Sequence, residues 1–314
     1  MQTISELEKE IRNKINTPWK QNALFQDSAV WEMLCSCLDT IGDTDLALDA
    51  YQELEWPQED GARYIIVYGA LQVLFVQQDA ATNLADALDI AYEPDPLLKE
   101  IREVRNDSIG HPTKRGYGDG EKFNFISRPT LKETGFKLMS TYPDDRPPTF
   151  QDVKISDLIK TQRNKLKDFL AEIVSQLEQE DMERREKFSD HLLQDVFPQT
   201  LRYHISKVGE AIYGTRPAEV CLVDLESLEK TVERFEKRLD ERGEAGAYPE
   251  VDRTIDLIKH AFQRLRAYIE DHEEASMTDQ DAYIYFSFTS DRFEELKEFA
   301  KEIDEPYRTS DNDT

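Results

Sequence analysis

Apolar residues recur at intervals of three and four positions over much of this 314-residue chain. That spacing is typical of the α-helix, in which residues three and four positions apart lie on one face. The pattern is clearest in the last third of the chain, where two apolar stripes flank the glycine-containing residues 243–246. It predicts an antiparallel helical hairpin with a narrow apolar seam. The seam residues are Leu225, Leu228, Val232, Phe235 and Leu239, followed by Val251, Ile255, Ile258, Phe262, Leu265 and Ile269.

The same spacing predicts helices in the first half of the chain. Ser5 and Asp27 are typical N-cap residues, so we expect helices to begin near both. Residues 64–76 are apolar on nearly every side, which predicts a central helix of a bundle. A long helix is expected at 156–188, with the charged residues after Gln179 forming a solvent-exposed arm. The other predicted helices are 5–15, the segment from Asp27 through Leu38, 43–54, 79–88 and 96–107.

Residues 116–155 interrupt the helical pattern. Three glycines between 116 and 120 predict a loop, and short apolar runs at 123–126, 136–139 and 150–155 predict strands. The expected fold is mainly α, with a short β-hairpin insertion and a C-terminal helical hairpin region. Residues 283–288 fit either a strand or a helix. The predicted divisions are a helical bundle at 1–115, a β-rich insertion at 116–155, a long helix at 156–190 that completes the bundle, a helical domain at 191–305 and a disordered tail at 306–314.

Charge and composition narrow the functional classes. The net charge is −26 at pH 7, whereas phosphate contacts supply most of the affinity of general nucleic-acid binders. Three possibilities remain: a local basic pocket on an acidic body, a basic protein partner, or no nucleic-acid binding. No apolar run is long enough to cross a bilayer, and the N-terminus does not resemble a signal peptide. The three cysteines form no recognisable zinc pattern, and Cys35 and Cys37 fit small core residues. A reduced, cytoplasmic protein without a membrane contact is the default expectation.

Residues 105–111, Arg-Asn-Asp-Ser-Ile-Gly-His, carry the candidate chemistry. An arginine presents a fixed fork of donors that suits a phosphate, and histidine is the side chain best suited to proton transfer near neutral pH. We expect Gly110 and Pro112 to end the preceding helix. In an uninterrupted helix Arg105 and His111 would lie on different sides. Either the break at Gly110 turns His111 back, or two subunits share one site.

Arg105, Asn106 and His111 resemble the signature of the HEPN superfamily, in which an arginine and a polar residue precede a histidine by a short interval. The resemblance covers the motif and the helical pattern around it, within residues 1–115. It implies an all-α bundle that dimerises with the motif helices facing each other. Many members are metal-independent ribonucleases of toxin–antitoxin or phage-defence systems. Some carry a tyrosine two positions after the histidine that a partner enzyme modifies; here that position is Thr113.

The resemblance also implies a role for each motif residue. Arg105 would stabilise the scissile phosphate, His111 would transfer protons, and Asn106 would orient His111 or contact the sugar. The products would be a 2′,3′-cyclic phosphate and a 5′-OH. RNA is the expected substrate and a homodimer the expected assembly, with an antitoxin or other protein as a further partner and without a cofactor or metal. The nearby basic residues proposed for substrate binding are Arg102, Lys114 and Arg115.

An alternative interpretation of the motif is structural. In it, Arg105 forms an ion pair with Glu103 or Asp107, and His111 lies beside the last carbonyls of an ordinary helix end. The bundle would then be a non-catalytic dimeric scaffold that binds a basic protein or a nucleotide. The remaining histidines show no spacing typical of a metal site or of a Ser-His-Asp arrangement. They are His191, His204, His260 and His272.

Overall fold

The computed structural model describes residues 2–116, 120–214, 216–271 and 276–308. The chain divides into two compact units. Unit 1 contains the first 15 residues and residues 24–177, and unit 2 contains residues 16–23 and everything from 178 onward. Part of the expected glycine loop (117–119), His272 and the tail from residue 309 lie outside the described residues.

Most of unit 1 is helical, and the mainly α fold class is confirmed. Asp27 caps the third helix by accepting a hydrogen bond from Ala29 N–H at 2.9 Å, so a helix begins where the sequence predicts one. The buried faces of the helices supply most of the two apolar clusters in this unit. The first six helices along the chain are α1 (Ile4–Ile15), α2 (Pro18–Phe25), α3 (Ser28–Glu53), α4 (Asp60–Ala87), α5 (Pro96–Arg105) and α6 (Ile155–Phe188).

Two predicted helix breaks are wrong, because α3 and α4 are each continuous. The helices expected at 43–54 and 79–88 belong to the second halves of α3 and α4. Gln77 and Gln78 lie at the second predicted break, yet both are buried inside the unit. Gln162 Nε2 donates to Gln77 Oε1 at 2.8 Å, and Gln78 Nε2 donates to Gln162 Oε1 at 2.7 Å. Because these hydrogen bonds join the three buried amides, polar residues continue the helix through the core.

A three-stranded antiparallel sheet completes unit 1. Its strands are β1 (Phe123–Ile126), β2 (Phe136–Thr141) and β3 (Thr149–Val153), in the order β1-β2-β3. Phe123 pairs with Thr141, and Phe136 pairs with Val153. Phe136 and Leu138 are buried and belong to the same apolar cluster as residues of α4 and α5. The predicted β segment is therefore confirmed, and it packs into the core that supports α5.

The charged end of α6 is largely exposed, as the sequence predicts, but one side of it packs within unit 2. The Arg184 guanidinium lies 4.8 Å from the Trp19 ring centre, and its Nε donates to the Tyr307 hydroxyl at 2.9 Å. Phe188 is buried. Tyr307 is buried too, so the disorder predicted from Pro306 onward is wrong for residues 306–308. Arginine stems and aromatic rings bury apolar surface that a count of charges does not reveal.

Unit 2 is built around the predicted hairpin. All the seam residues of its two helices are buried, which confirms the apolar pattern. Residues 283–288, which fitted either a strand or a helix, are helical, and their helix begins at a capping box formed by Thr278 and Asp281. Within the described residues, no helix is long and apolar enough to cross a membrane. The main helices of this unit are α7 (Leu201–Ile212), α8 (Ala218–Glu241), α9 (Pro249–Glu270) and α10 (Asp279–Asp304).

Candidate functional site

The motif begins at the last residue of α5 and continues through a π-helical turn. Asp95 caps α5 by accepting a hydrogen bond from Leu97 N–H at 2.9 Å, and the helix then runs to Arg105. A π-helical turn follows from Asn106 to Gly110 and ends where His111 N–H donates to the Asn106 carbonyl at 2.8 Å. Single π-helical turns are rare and occur frequently at functional sites. The predicted stop at Gly110 is therefore present, but the turn that leads to it is wider than an α-helical one.

Neutral groups hold the Arg105 guanidinium. Its Nε and Nη2 both donate to Gln72 Oε1 of α4, at 3.2 and 2.8 Å, and its Nη1 donates to Asn106 Oδ1 at 3.0 Å. The Phe75 ring, also on α4, lies 4.2 Å from the guanidinium carbon. No carboxylate in the described part of the chain lies within 4.0 Å of this guanidinium. The positive charge is fixed in position without being neutralised.

Gly110 leaves the space that the Arg105 side chain occupies. A Cβ atom built on Gly110 would lie 2.7 Å from Arg105 Nη1 and 3.1 Å from Asn106 Oδ1. Both distances are shorter than ordinary van der Waals contact, so any other residue here would displace the guanidinium or the amide that holds it. The glycine therefore has a packing role in the motif in addition to ending the helix.

His111 is exposed at the end of the π-helical turn. Its imidazole makes no hydrogen bond to the residues that the structure describes, and none joins it to Arg105. Asn106 was expected to orient His111 or to contact the sugar. Its amide oxygen instead accepts from Arg105, and only its backbone carbonyl contacts His111. Asn106 therefore positions the arginine, while the imidazole stays available to solvent.

The three basic residues predicted to bind substrate are each paired with a carboxylate. Paired side chains can still contact a phosphate, but part of their positive charge is already neutralised. Glu103 and Asp107, the acids suggested as partners for Arg105, contact Arg115 instead. The pairs are Arg102 with Asp79 (2.6 Å), Lys114 with Glu121 (3.3 Å), and Arg115 with Glu103 (2.6 Å) and Asp107 (2.5 Å).

Asp107 joins the π-helical turn to the β segment. Its buried carboxylate accepts hydrogen bonds from Arg115 and Lys122, each at 2.5 Å, and from Asn124 Nδ2 of β1 at 3.3 Å. Burial alone would lower the pKa of Arg115, but its hydrogen bonds to Glu103 and Asp107 outweigh that effect and raise it. The β segment thus fixes the turn that carries the motif.

Sequence reasoning did not identify Gln72 and Phe75 as parts of the site. Both come from α4, and Gln72 is 33 positions before Arg105. One signal was present: Gln72 is the polar residue within the apolar run 64–76. A polar side chain in an otherwise apolar helix usually has a hydrogen-bonding partner, and here that partner is the motif arginine.

Comparisons with known proteins give no independent support for a family. The chain matches no family model, and neither a curated protein nor a solved structure is significantly similar to it. In the part of the chain that the structure describes, no group of three or more His, Cys, Asp or Glu side chains is placed to hold a metal ion. The functional argument therefore rests on the local chemistry of the motif.

Proposed function

We propose that this chain is a metal-independent endoribonuclease of the HEPN type, active as a homodimer. The observation that carries the proposal is the state of the Arg105 charge, which two neutral amides hold without neutralising it. Six positions later, His111 presents an imidazole that is exposed and has no hydrogen-bonding partner among the described residues. An anion-binding arginine and a proton-transferring histidine are sufficient for phosphodiester cleavage that uses the 2′-OH of RNA.

In this reaction the ribose 2′-oxygen attacks the adjacent phosphorus atom, and the bond from phosphorus to the 5′-oxygen of the next nucleotide breaks. His111 accepts the proton of the 2′-OH or donates one to the departing 5′-oxygen, and the facing subunit or water performs the other transfer. Arg105 stabilises the additional negative charge on the phosphate oxygens. Asn106 and Gln72 act by holding Arg105. The products are a 2′,3′-cyclic phosphate and a 5′-OH.

The net charge of −26 is expected to weaken the binding of bulk RNA but not to prevent a phosphate from binding at the motif. Repulsion between exposed charges is screened beyond about 8 Å at physiological salt. Arg105 is an uncompensated cation at the motif itself, where a phosphate can reach it. We expect weak binding to bulk RNA and a strong dependence of cleavage on this one arginine.

Cleavage of a tRNA pool in EDTA tests the proposal. Wild type is expected to cut and to leave 2′,3′-cyclic phosphates, while Arg105→Ala and His111→Ala are expected to be inactive. His260→Ala is the matched control, because His260 is an exposed histidine on α9 and has no place in the site. Equal cleavage by wild type and both motif variants, or cleavage that stops in EDTA, would contradict the proposal.

Mixing two inactive variants tests whether the site is shared between subunits. If each site combines Arg105 of one subunit with His111 of the other, a heterodimer of Arg105→Ala and His111→Ala keeps one intact site and regains activity. If one subunit supplies both residues, the mixture stays inactive. The experiment thus separates the two arrangements that the sequence leaves open.

A non-catalytic scaffold is the second candidate. It is supported by the pairing of Arg102, Lys114 and Arg115 with carboxylates and by the acidity of the chain, which suits a basic protein partner. Growth on overexpression separates the candidates if the enzyme acts as a toxin. Relief of toxicity by His111→Ala favours the ribonuclease, and toxicity that persists in this variant favours the scaffold.

A further inference from the structure

A second polar cluster lies in unit 2, outside the motif. His204 of α7 and Asp224 of α8 are 20 positions apart in sequence, yet His204 Nδ1 lies 2.7 Å from Asp224 Oδ1. Asp224 is only 5% exposed, and its second oxygen lies 3.2 Å from Arg216 Nη1. A buried carboxylate with a cation on one side and a histidine on the other fixes that histidine firmly.

The pairing decides which nitrogen of His204 is available. A carboxylate accepts hydrogen bonds, so Nδ1 carries the proton that it shares with Asp224. Nε2 is then the ring nitrogen left for another partner. His204 is also partly exposed, with 24% of its side chain accessible. Asp224 thus holds the ring through Nδ1, and another part of the ring is accessible to solvent.

That ring lines a cavity of about 510 Å³ between α7 and α8. The cavity is also lined by Thr200, by Ser227, and by the cations Lys230 and Arg234. The Lys230 ammonium is paired with Glu226 at 2.7 Å, which neutralises part of its charge. Ser227, Lys230 and Arg234 follow Asp224 at helical spacing, so one face of α8 supplies all of them. The Arg234 guanidinium donates to two neutral groups, the Lys230 carbonyl and the Thr231 hydroxyl. Glu233 is the one acid in the lining.

We infer that this cavity binds the phosphate group of a small phosphomonoester or free phosphate. Arg234 and Lys230 are cationic donors of the kind that phosphate oxygens prefer, and the Thr200 hydroxyl is a third donor. Nε2 of His204 can accept the proton of a monoanionic phosphate, and the cavity has the size of a small-molecule site. It is a binding site rather than a Ser-His-Asp triad, because Ser227 Oγ donates to the Val223 carbonyl and not to His204. The site does not depend on the ribonuclease proposal, since its residues belong to unit 2 and the motif belongs to unit 1.

Calorimetric titration with inorganic phosphate and with phenyl phosphate tests the inference. Wild type is expected to bind at least one of them saturably, and the tighter of the two shows whether a monoester or free phosphate is the better ligand. Arg234→Gln is expected to weaken binding by about tenfold or more, because it removes a charged donor. His204→Gln is expected to weaken it several-fold, because it removes the imidazole from the lining. His260→Gln and Arg253→Gln, which change α9 outside the cavity, are the matched controls and are expected to bind like wild type.

Glu233→Gln distinguishes a binding role from a structural one. Removing the acid from the lining is expected to tighten phosphate binding several-fold, a gain that damage to the fold cannot produce. Far-ultraviolet circular dichroism of His204→Gln checks that α7 and α8 remain folded. Absence of saturable binding by wild type, or wild-type affinity in both His204→Gln and Arg234→Gln, would overturn the inference.

Discussion

Arg105 and Arg242 are both removed from water in part or in full, but their guanidinium groups have partners of different charge. Arg242 is 0% exposed, and its Nη2 donates to Asp304 Oδ1 at 2.9 Å and to the His191 carbonyl at 2.8 Å. Glu244 is a second nearby acid, 3.8 Å from Nη1. Arg105 is only half-buried and is held by two amides. An aromatic ring lies against each guanidinium, so the difference is in the charge of the partners.

The comparison shows how to tell a structural arginine from one available to an anion. A charge removed fully from water needs an opposite charge and hydrogen bonds, and Arg242 has both within unit 2. These acids neutralise the positive charge of Arg242, so the guanidinium attracts an anionic ligand only weakly. Arg105 keeps its positive charge because its partners are neutral, while its hydrogen bonds to Gln72 and Asn106 restrict the motion of the side chain. That combination favours a bound phosphate, because the ordering of the side chain has already occurred before the ligand arrives.

The largest expected effect is on stability, at Arg242. Arg242→Met leaves Asp304 buried without its cation, and we expect a loss of about 3–5 kcal/mol in the free energy of unfolding. Urea denaturation measures it. The double variant Arg242→Met/Asp304→Leu should recover part of the loss, because no unpaired charge remains. A loss below about 1 kcal/mol would show that the pair is not the structural element that its burial indicates.

The next effect is on activity, at Arg105. Arg105→Lys keeps the charge, but a lysine cannot span Gln72 and Asn106, so we expect cleavage to fall by about 10²–10³-fold. The free energy of unfolding should change by about 1 kcal/mol or less, because no buried acid is left unpaired. RNA cleavage and urea denaturation of the same preparation measure both quantities. A large loss of stability with unchanged specific activity would place Arg105 in the same structural class as Arg242.

A smaller effect on stability is expected at Asp107. Asp107→Asn removes the charge that Arg115 and Lys122 share, and hydrogen bonds to charged groups contribute about 1.5–3 kcal/mol. Thermal unfolding measures the loss. Glu121→Gln is the matched control, since Glu121 forms a single ion pair with the exposed Lys114 and should change stability by about 0.5 kcal/mol or less. Equal effects of the two variants would mean that the turn does not depend on the β segment.

The smallest effect, and the most specific one, is expected at Gly110. Gly110→Ala forces the Arg105 guanidinium to move by a fraction of an ångström, and we expect about a tenfold loss of cleavage with little change in stability. Gly42→Ala is the control, because a Cβ atom there meets no neighbour within 4 Å in the interior of α3. It should leave cleavage unchanged and stabilise the helix by up to about 1 kcal/mol. Cleavage by Gly110→Ala at the wild-type rate would show that this packing is not needed.

Local patterns in the sequence predict much of the fold, because they are set by residues close together in the chain. Apolar spacing identified the hairpin seam, and β1 occupies the predicted residues. The errors have tertiary causes. Gln162 hydrogen-bonds to Gln77 and Gln78 from 84 or more positions away and lets α4 continue, and Trp19 and Tyr307 contact Arg184 near the charged end of α6. No window of neighbouring residues contains these partners.

The candidate site divides in the same way. The pattern of Arg105, Asn106 and His111 is local and can be recognised in the sequence, as can the stop at Gly110. The partners that give the arginine its character are distant, since Gln72 and Phe75 belong to another helix. The pairing of Arg115 with Asp107 likewise needed the β segment to fold back. Sequence spacing identified which residues to consider, whereas the charge state of their surroundings required the fold.

The π-helical turn accommodates one residue more than an α-helical turn between Arg105 and His111. Its closing bond joins residues five apart, one more than the bond that closes an α-helical turn. Deleting three bases from the gene within residues 107–109 would allow ordinary α-helical pitch. The turn would then close after four residues, and the residue at its end would keep nearly its direction around the axis. A single in-frame deletion can therefore shorten the interval of the motif without replacing Arg105 or His111.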